Sequence, residues 1–261
     1  MSFQLLISTM YQSDYSLLDK MNVQSDALMI NQCNDFRVEG IKYHDNVVQI
    51  YSLPERGIGL SRNLALLYAT ADICLFADDD VQYVDNYKDI ILSEFQKHPQ
   101  KDIILFNIES NNPLRPETLD LHAHNIYFFN CLRYGAFRIA FRTCAIRKAR
   151  LSFSHQFGGG GIYGSGEDSL FLVDCLRKGL RIFASAKLIG TVNHDISTWF
   201  QGYNEKFFRD KGALFAAISR PLSKLLCLQF CIRHKEMLED KSFREVYNLM
   251  LLGIKEYGRI R

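Results

Sequence analysis

Two groups of carboxylates carry the chemistry this sequence offers. Asp78, Asp79 and Asp80 follow directly on the apolar run Ile73-Cys74-Leu75-Phe76-Ala77, and Glu167 and Asp168 follow a loop with four consecutive glycines, Gly158 to Gly161. Three adjacent carboxylates repel one another, so folding alone gives little reason to place them there. A divalent cation gives one, because hard cations take oxygen ligands and cancel the repulsion. An acidic turn capping a helix is the competing reading, and the buried strand in front favours the metal site. The four glycines lose much backbone entropy on ordering, so they serve close approach to a ligand or a loop that moves. Glu167 and Asp168 then read either as first-turn acids complementing a helix dipole or as catalytic groups. His194 stands alone, and a lone histidine is more often structural than a ligand.

These groups need elements to hold them. Phe3 to Thr9, Ala27 to Ile30 and Val47 to Tyr51 read as strands, with a helix over Tyr15 to Met21. An unbroken apolar run such as Ile73 to Ala77 reads as a strand buried on both faces of a parallel sheet. Asp78, Asp79 and Asp80 would then emerge at its C-terminal end, the edge where open α/β sheets bind ligands. Between Pro54 and Asn63 two glycines form a loop, with Ser61 as the expected N-cap of a helix running to about Thr70 and packed through Leu60, Leu64, Leu67 and Ala71. Arg62 sits in its first turn, where free amides favour an anion, and suits a diphosphate; a solvated surface arginine is the alternative. Tyr87 to His98 has helical spacing and Asp102 to Ile108 reads as a buried strand. Ile139 to Phe141 and Cys144 to Ile146 read as strand pieces, Leu170 to Leu180 as an amphipathic helix, and Arg181 to Ala184 as a short strand. The pattern predicts an α/β fold: residues 1–200 form the main domain, and 201–261 a helical, basic, amphipathic extension.

The bulk numbers narrow the function. A net charge of +2 over 261 residues argues against a generic nucleic-acid binder. The charge is uneven: residues 200–261 carry 12 Lys+Arg against 7 Asp+Glu, a net of +5, leaving −3 for the first 199 residues. A basic amphipathic segment can rest on an anionic membrane surface or pack on the main domain. Seven cysteines without a Cys-x-x-Cys pair suggest a reduced, cytoplasmic chain, and the N-terminus has no basic segment followed by an apolar one. The apolar stretch Gly212 to Ile232 is interrupted by Arg220, Pro221 and Lys224, a poor transmembrane span.

Three stretches in order, Gly59-Leu60-Ser61-Arg62-Asn63, Phe76-Ala77-Asp78-Asp79-Asp80 and Gly166-Glu167-Asp168 with Phe171, resemble the inverting nucleotide-sugar glycosyltransferases of family 2 and their GT-A-fold relatives. The resemblance covers roughly residues 3 to 200. It implies a GT-A (Rossmann-like), mostly parallel sheet flanked by helices, and transfer of a sugar from a nucleoside-diphosphate sugar to an acceptor hydroxyl. Thr9, Arg62, Asp78, Asp79 and Asp80 would meet the donor, with Asp80 holding Mn²⁺ or Mg²⁺. Asp168 would be the general base. His194, 26 residues after Asp168, stands where related metal-dependent families complete the metal shell. Glu167, Tyr163 and Trp199 would face the acceptor, a glycan or a lipid-linked glycan in polysaccharide or glycolipid assembly. One departure bears on the donor. Family members usually carry acids after the second strand that read the base, and here Asn31-Gln32-Cys33-Asn34 stand there. Uridine is therefore the default. A non-catalytic nucleotide-sugar-binding subunit and, further off, a sugar nucleotidyltransferase are the alternatives.

Overall fold

The first strand, β1 (Phe3–Met10), lies in the sheet interior, and its first seven residues are buried. A computed structural model describes residues 1–113, 115–193, 202–238 and 241–260. After β1 come α1 (Ser16–Lys20), β2 (Ala27–Gln32), β3 (Arg37–Tyr43), β4 (Asn46–Leu53), α2 (Ile58–Tyr68), β5 (Ile73–Asp78), β6 (Val81–Tyr83) and α3 (Tyr87–Lys97). Then follow β7 (Ile103–Ser110), β8 (His124–Ile126), β9 (Ile139–Arg142), α4 (Thr143–Ala149), α5 (Glu167–Arg177), β10 (Ile182–Val192), α6 (Glu205–Ile218), α7 (Ser223–Arg233) and α8 (Phe243–Ile260).

The strands form one sheet in the order β3-β4-β2-β1-β5-β9-β7-β10-β6, with β8 paired to β10. β4, β2, β1 and β5 run parallel, as do β7 and β10. β9 is antiparallel between β5 and β7, and β3 and β6 are antiparallel at the two edges. One sheet face is covered by α1 and α3 through Leu17, Leu18, Ile91 and Phe95. The other carries α2 and α5 through Ala65, Phe171 and Leu172. This is the mostly parallel α/β sheet that the sequence predicts, with helices on both faces and a helical C-terminal segment.

Register fixes the working edge. Ser8 lies opposite Asp78, Thr9 opposite Asn31, and Met10 opposite Gln32. The C-terminal ends of β1, β2 and β5 therefore open side by side, and β5 turns at Asp79 and Asp80 into β6. β6 pairs with Gly190–Val192 at the end of β10, and the Asn193 amide donates to the Asp80 carbonyl at 2.9 Å.

Several local expectations are corrected. Cys144 to Ile146 lie in α4 and not in a strand, since Ala145, Arg147, Lys148 and Ala149 are good helix formers directly after β9. α2 starts at Ile58 with Gly57 as its N-cap at φ 128°. Ser61 is thus inside the helix, where its hydroxyl bonds the Ser8 hydroxyl at 2.9 Å. The buried face of α2 is Gly59, Ser61, Arg62 and Ala65, while Leu67 is 66% exposed. Gly59 allows this, because a Cβ there would come 2.4 Å from the Ser154 carbonyl oxygen. β3 escapes the sequence reading because it is an edge strand with no fully buried residue.

The C-terminal helices form their own apolar cluster around Phe208, Cys227, Cys231, Val246 and Met250. α6 and α8 touch backbone to backbone through two glycines. A Cβ on Gly212 would lie 2.0 Å from the Met250 carbonyl oxygen, and one on Gly253 would lie 1.9 Å from that of Arg209. Glycine to alanine inside a helix ordinarily stabilises. Here the sign reverses, and Gly253→Ala is expected to cost about 1–3 kcal/mol, as overpacking does. Urea denaturation checks it; an unchanged or raised midpoint would contradict the contact.

Candidate active site

Arg62 organises the site. Its guanidinium is 4% exposed and reaches Asp78 on β5 through Nη2, at 2.8 and 3.1 Å to the two carboxylate oxygens. Through Nη1 it reaches Glu167 Oε1 at the start of α5, at 2.8 Å. Residues 16 and 105 positions away in sequence are thereby held by one side chain. The Phe153 ring lies 5.4 Å from the guanidinium carbon. Burial pulls the Arg62 ionisation down, but Asp78 and then Glu167 outweigh it and hold the guanidinium charged.

Beside Asp78 the other two carboxylates differ. Asp79 Oδ2 accepts a hydrogen bond from the Thr9 hydroxyl at 2.5 Å, and burial raises its ionisation above the usual carboxylate range. Asp80 is pushed up to about 7, first by burial and then by Asp78 and Asp79. Among the described residues its Oδ1 is buried without a hydrogen-bond partner. A buried carboxylate oxygen left unpaired costs free energy unless a cation meets it. Among the described residues the donors here are carboxylate oxygens, which suit Mn²⁺ or Mg²⁺, so Asp80 fits the metal role that the sequence suggests. Among the described residues no group of three or more His, Cys, Asp or Glu side chains gathers as a metal cluster. His194 and Trp199 lie outside the described residues.

On the far side of Arg62, Asp168 is half-buried in the first turn of α5 and accepts from the Ser169 amide at 2.7 Å. Burial and the neighbouring Glu167 push its carboxyl up to about 7, against the pull of Arg62 and Lys211. A carboxyl titrating there is placed to exchange a proton near neutral pH.

The glycine loop is closed on itself. The Gly158 amide donates to the Tyr163 carbonyl, and the Tyr163 amide donates to the Gln156 carbonyl, both at 2.9 Å. Gly159 accepts from the Ile58 amide at 2.9 Å, tying the loop to the start of α2. The close approach that the glycines permit is to the protein itself. A Cβ on Gly158 (φ 94°) would lie 2.7 Å from the Glu167 carboxylate. The loop therefore backs Glu167 and presses it toward Arg62.

Tyr163, expected at the acceptor, is buried, with its ring stacked on Phe157 at 4.7 Å and near Tyr257 at 6.0 Å. Its ring is committed to packing; its hydroxyl is buried and has no hydrogen-bond partner among the described residues. At the end of β2, the side-chain amides of Asn31 and Gln32 are already engaged. Asn31 bonds the Gln12 backbone and the Ser52 hydroxyl, and Gln32 bonds both the N–H and the C=O of Gly57. An exposed pair that the sequence reading missed stands beside them. Arg56 lies 4.9 Å over the Tyr11 ring and donates to Asn34 and to the Cys33 carbonyl.

With that geometry in place, likeness to known proteins becomes informative. Residues 31–155 match the model of Glycosyl transferase family 2. The match contains Arg62 and the three aspartates and ends before Glu167. No curated protein sequence matches this chain. Among solved structures, S. aureus TarS is similar at TM-score 0.61 and 15% identity, over 94% of this chain and 45% of that one. TarS 1–349 in complex with UDP gives 0.62 at 15% identity, over 90% and 72% of the two chains. TarS 1–349 in complex with UDP-GlcNAc gives 0.63 at 13% identity, over 100% and 93%. At such identities the likeness concerns the fold, and this chain spans less than half of the longer TarS chain.

Proposed function

We propose that this chain is a metal-dependent, inverting glycosyltransferase that moves a sugar from a nucleoside-diphosphate sugar to an acceptor hydroxyl. One observation carries the proposal: Arg62 joins Asp78, at the tip of β5, to Glu167, beside Asp168, in a single site. The family 2 match supports the reaction class. TarS bound to UDP and to UDP-GlcNAc supports a uridine nucleotide as the default donor.

In this mechanism Asp78, Asp79 and Thr9 line the donor side. Arg62 acts by holding Asp78 and Glu167 in place, since both ends of its fork are already occupied. Asp80 would hold Mn²⁺ or Mg²⁺, with His194 as its second ligand from this chain. When bound, the cation offsets negative charge on the diphosphate leaving group. Asp168 takes the proton from the acceptor hydroxyl as its oxygen forms the bond to the anomeric carbon and the bond to the nucleoside diphosphate breaks. One base and one displacement give inversion. Glu167 and Trp199 are assigned to the acceptor side, with the Tyr163 hydroxyl in place of its ring.

A thermal-shift series tests this. UDP or UDP-GlcNAc with Mn²⁺ should raise the melting temperature by several degrees, since ligand at about 100 times its Kd adds about 2.7 kcal/mol. Asp80→Ala should remove the Mn²⁺-dependent part. If no nucleoside diphosphate shifts the wild-type protein, with or without Mn²⁺ or Mg²⁺, the proposal fails.

Residues 1–200 form the nucleotide-sugar and acceptor domain in this reading, and 201–261 a helical, basic, amphipathic extension. The acceptor is assigned to glycan or lipid-linked glycan chemistry. No helix of the described residues is long and apolar enough to cross a membrane. α7 and its N-cap Leu222 nevertheless expose Leu222, Leu225, Leu228 and Ile232, with Lys224 and Arg233 exposed at the margins of the stripe. We assign this face to peripheral contact with an anionic bilayer. Sedimentation with phosphatidylglycerol vesicles at low salt, lost on Leu225→Ser with Ile232→Ser, is the expected result. A wild-type protein that stays in the supernatant would refute it.

A further inference from the structure

We propose that Lys211 of α6 is a positioning residue, the counter-charge that holds Asp168 as a carboxylate ready to take a proton. The inference rests on the reading of Asp168 as the base and adds a residue from outside the family 2 match.

The geometry comes from the way α6 lies on the loop that carries Asp168. One residue before Lys211, Asp210 accepts from the Gly164 amide at 2.8 Å. Three residues after it, Leu214 fills the space beside Gly166, where a Cβ would meet its methyl group at 2.7 Å. Lys211 lies between these two anchors, and they pin its helix against Gly164 and Gly166. Its ammonium rests 5.3 Å from the centre of the Phe207 ring and 5.9 Å from that of Phe230. An ammonium on an aromatic floor keeps its field, because few waters screen it.

The charge balance gives the reason for a second cation. Asp78, Glu167 and Asp168 are three carboxylates around one guanidinium, and Arg62 is spent on the first two. Glu167 opposes the ionisation of Asp168, while Arg62 and then Lys211 favour it. Asp210 also acts on Lys211 but is already paired with Lys206 at 2.5 Å. Burial weakens the Lys211 ammonium while Asp168 strengthens it, so the two groups support each other's charge.

The test reads Asp168 directly. In protein labelled with γ-¹³C aspartate, the Asp168 carboxyl resonance is identified by its loss in Asp168→Asn, and its midpoint is followed with pH. Lys211→Met should move that midpoint up by at least about half a pH unit, a threefold weaker acid. Lys211→Arg should restore it, and Lys211→Gln serves if the methionine variant does not fold. An unchanged midpoint in a folded Lys211→Met or Lys211→Gln protein overturns the proposal and leaves Lys211 a packing residue. The base assignment fails separately, if Asp168→Asn retains turnover of the sugar nucleotide.

Discussion

Asp168→Asn is expected to lower sugar transfer by about 10²–10⁴-fold, the range over which a positioned general base contributes. The substitution is close to isosteric and keeps the acceptor for the Ser169 amide. It removes a negative charge that burial and Glu167 both disfavour, so the variant should melt at or above the wild-type temperature. Loss of activity with equal or greater stability is the signature of a functional group held against the preference of the fold. A pH profile sharpens the test. With its carboxyl pushed up to about 7, Asp168 is protonated and idle on the acid side. The wild-type kcat/KM should therefore climb as pH rises through about 7 and level off above it. The residual rate of Asp168→Asn should lack that rise. A variant within about tenfold of wild type across the range would take the base role away from Asp168.

The sequence was legible where one kind of force dominates. β1, β2 and β5 are apolar runs in a sheet covered on both faces, and burial alone identifies them. Asp78, Asp79 and Asp80 stand out for the opposite reason, since nothing in packing favours three adjacent carboxylates. β3 has no such signal, because an edge strand mixes exposed polar and apolar residues. α2 misled through its leucines: Leu60, Leu64 and Leu67 suggest an apolar inner face, yet the inward residues are Gly59, Ser61, Arg62 and Ala65. A helix that must deliver a guanidinium to two carboxylates presents small residues to its neighbours. Lys211 could not be singled out, because in one dimension it is one of 12 basic residues in the tail. Only the seating of α6 against Gly164 and Gly166 gives it a role.

The same contrast decides what Arg62→Met should do. In sequence Arg62 reads as a ligand for diphosphate; in the fold it neutralises two carboxylates from different elements. Asp78 is about a quarter exposed and Glu167 about a tenth, so water can relieve the first more than the second. Breaking a buried pair by removing one partner costs about 3–5 kcal/mol, and the lower end applies here because Asp78 is partly solvated. Urea denaturation should show that gap from wild type. Arg62→Lys should recover part of it, since one ammonium cannot serve both carboxylates with the geometry of a fork. A small gap would mean that the two carboxylates stand without Arg62, and that this side chain is not what joins the tip of β5 to the start of α5.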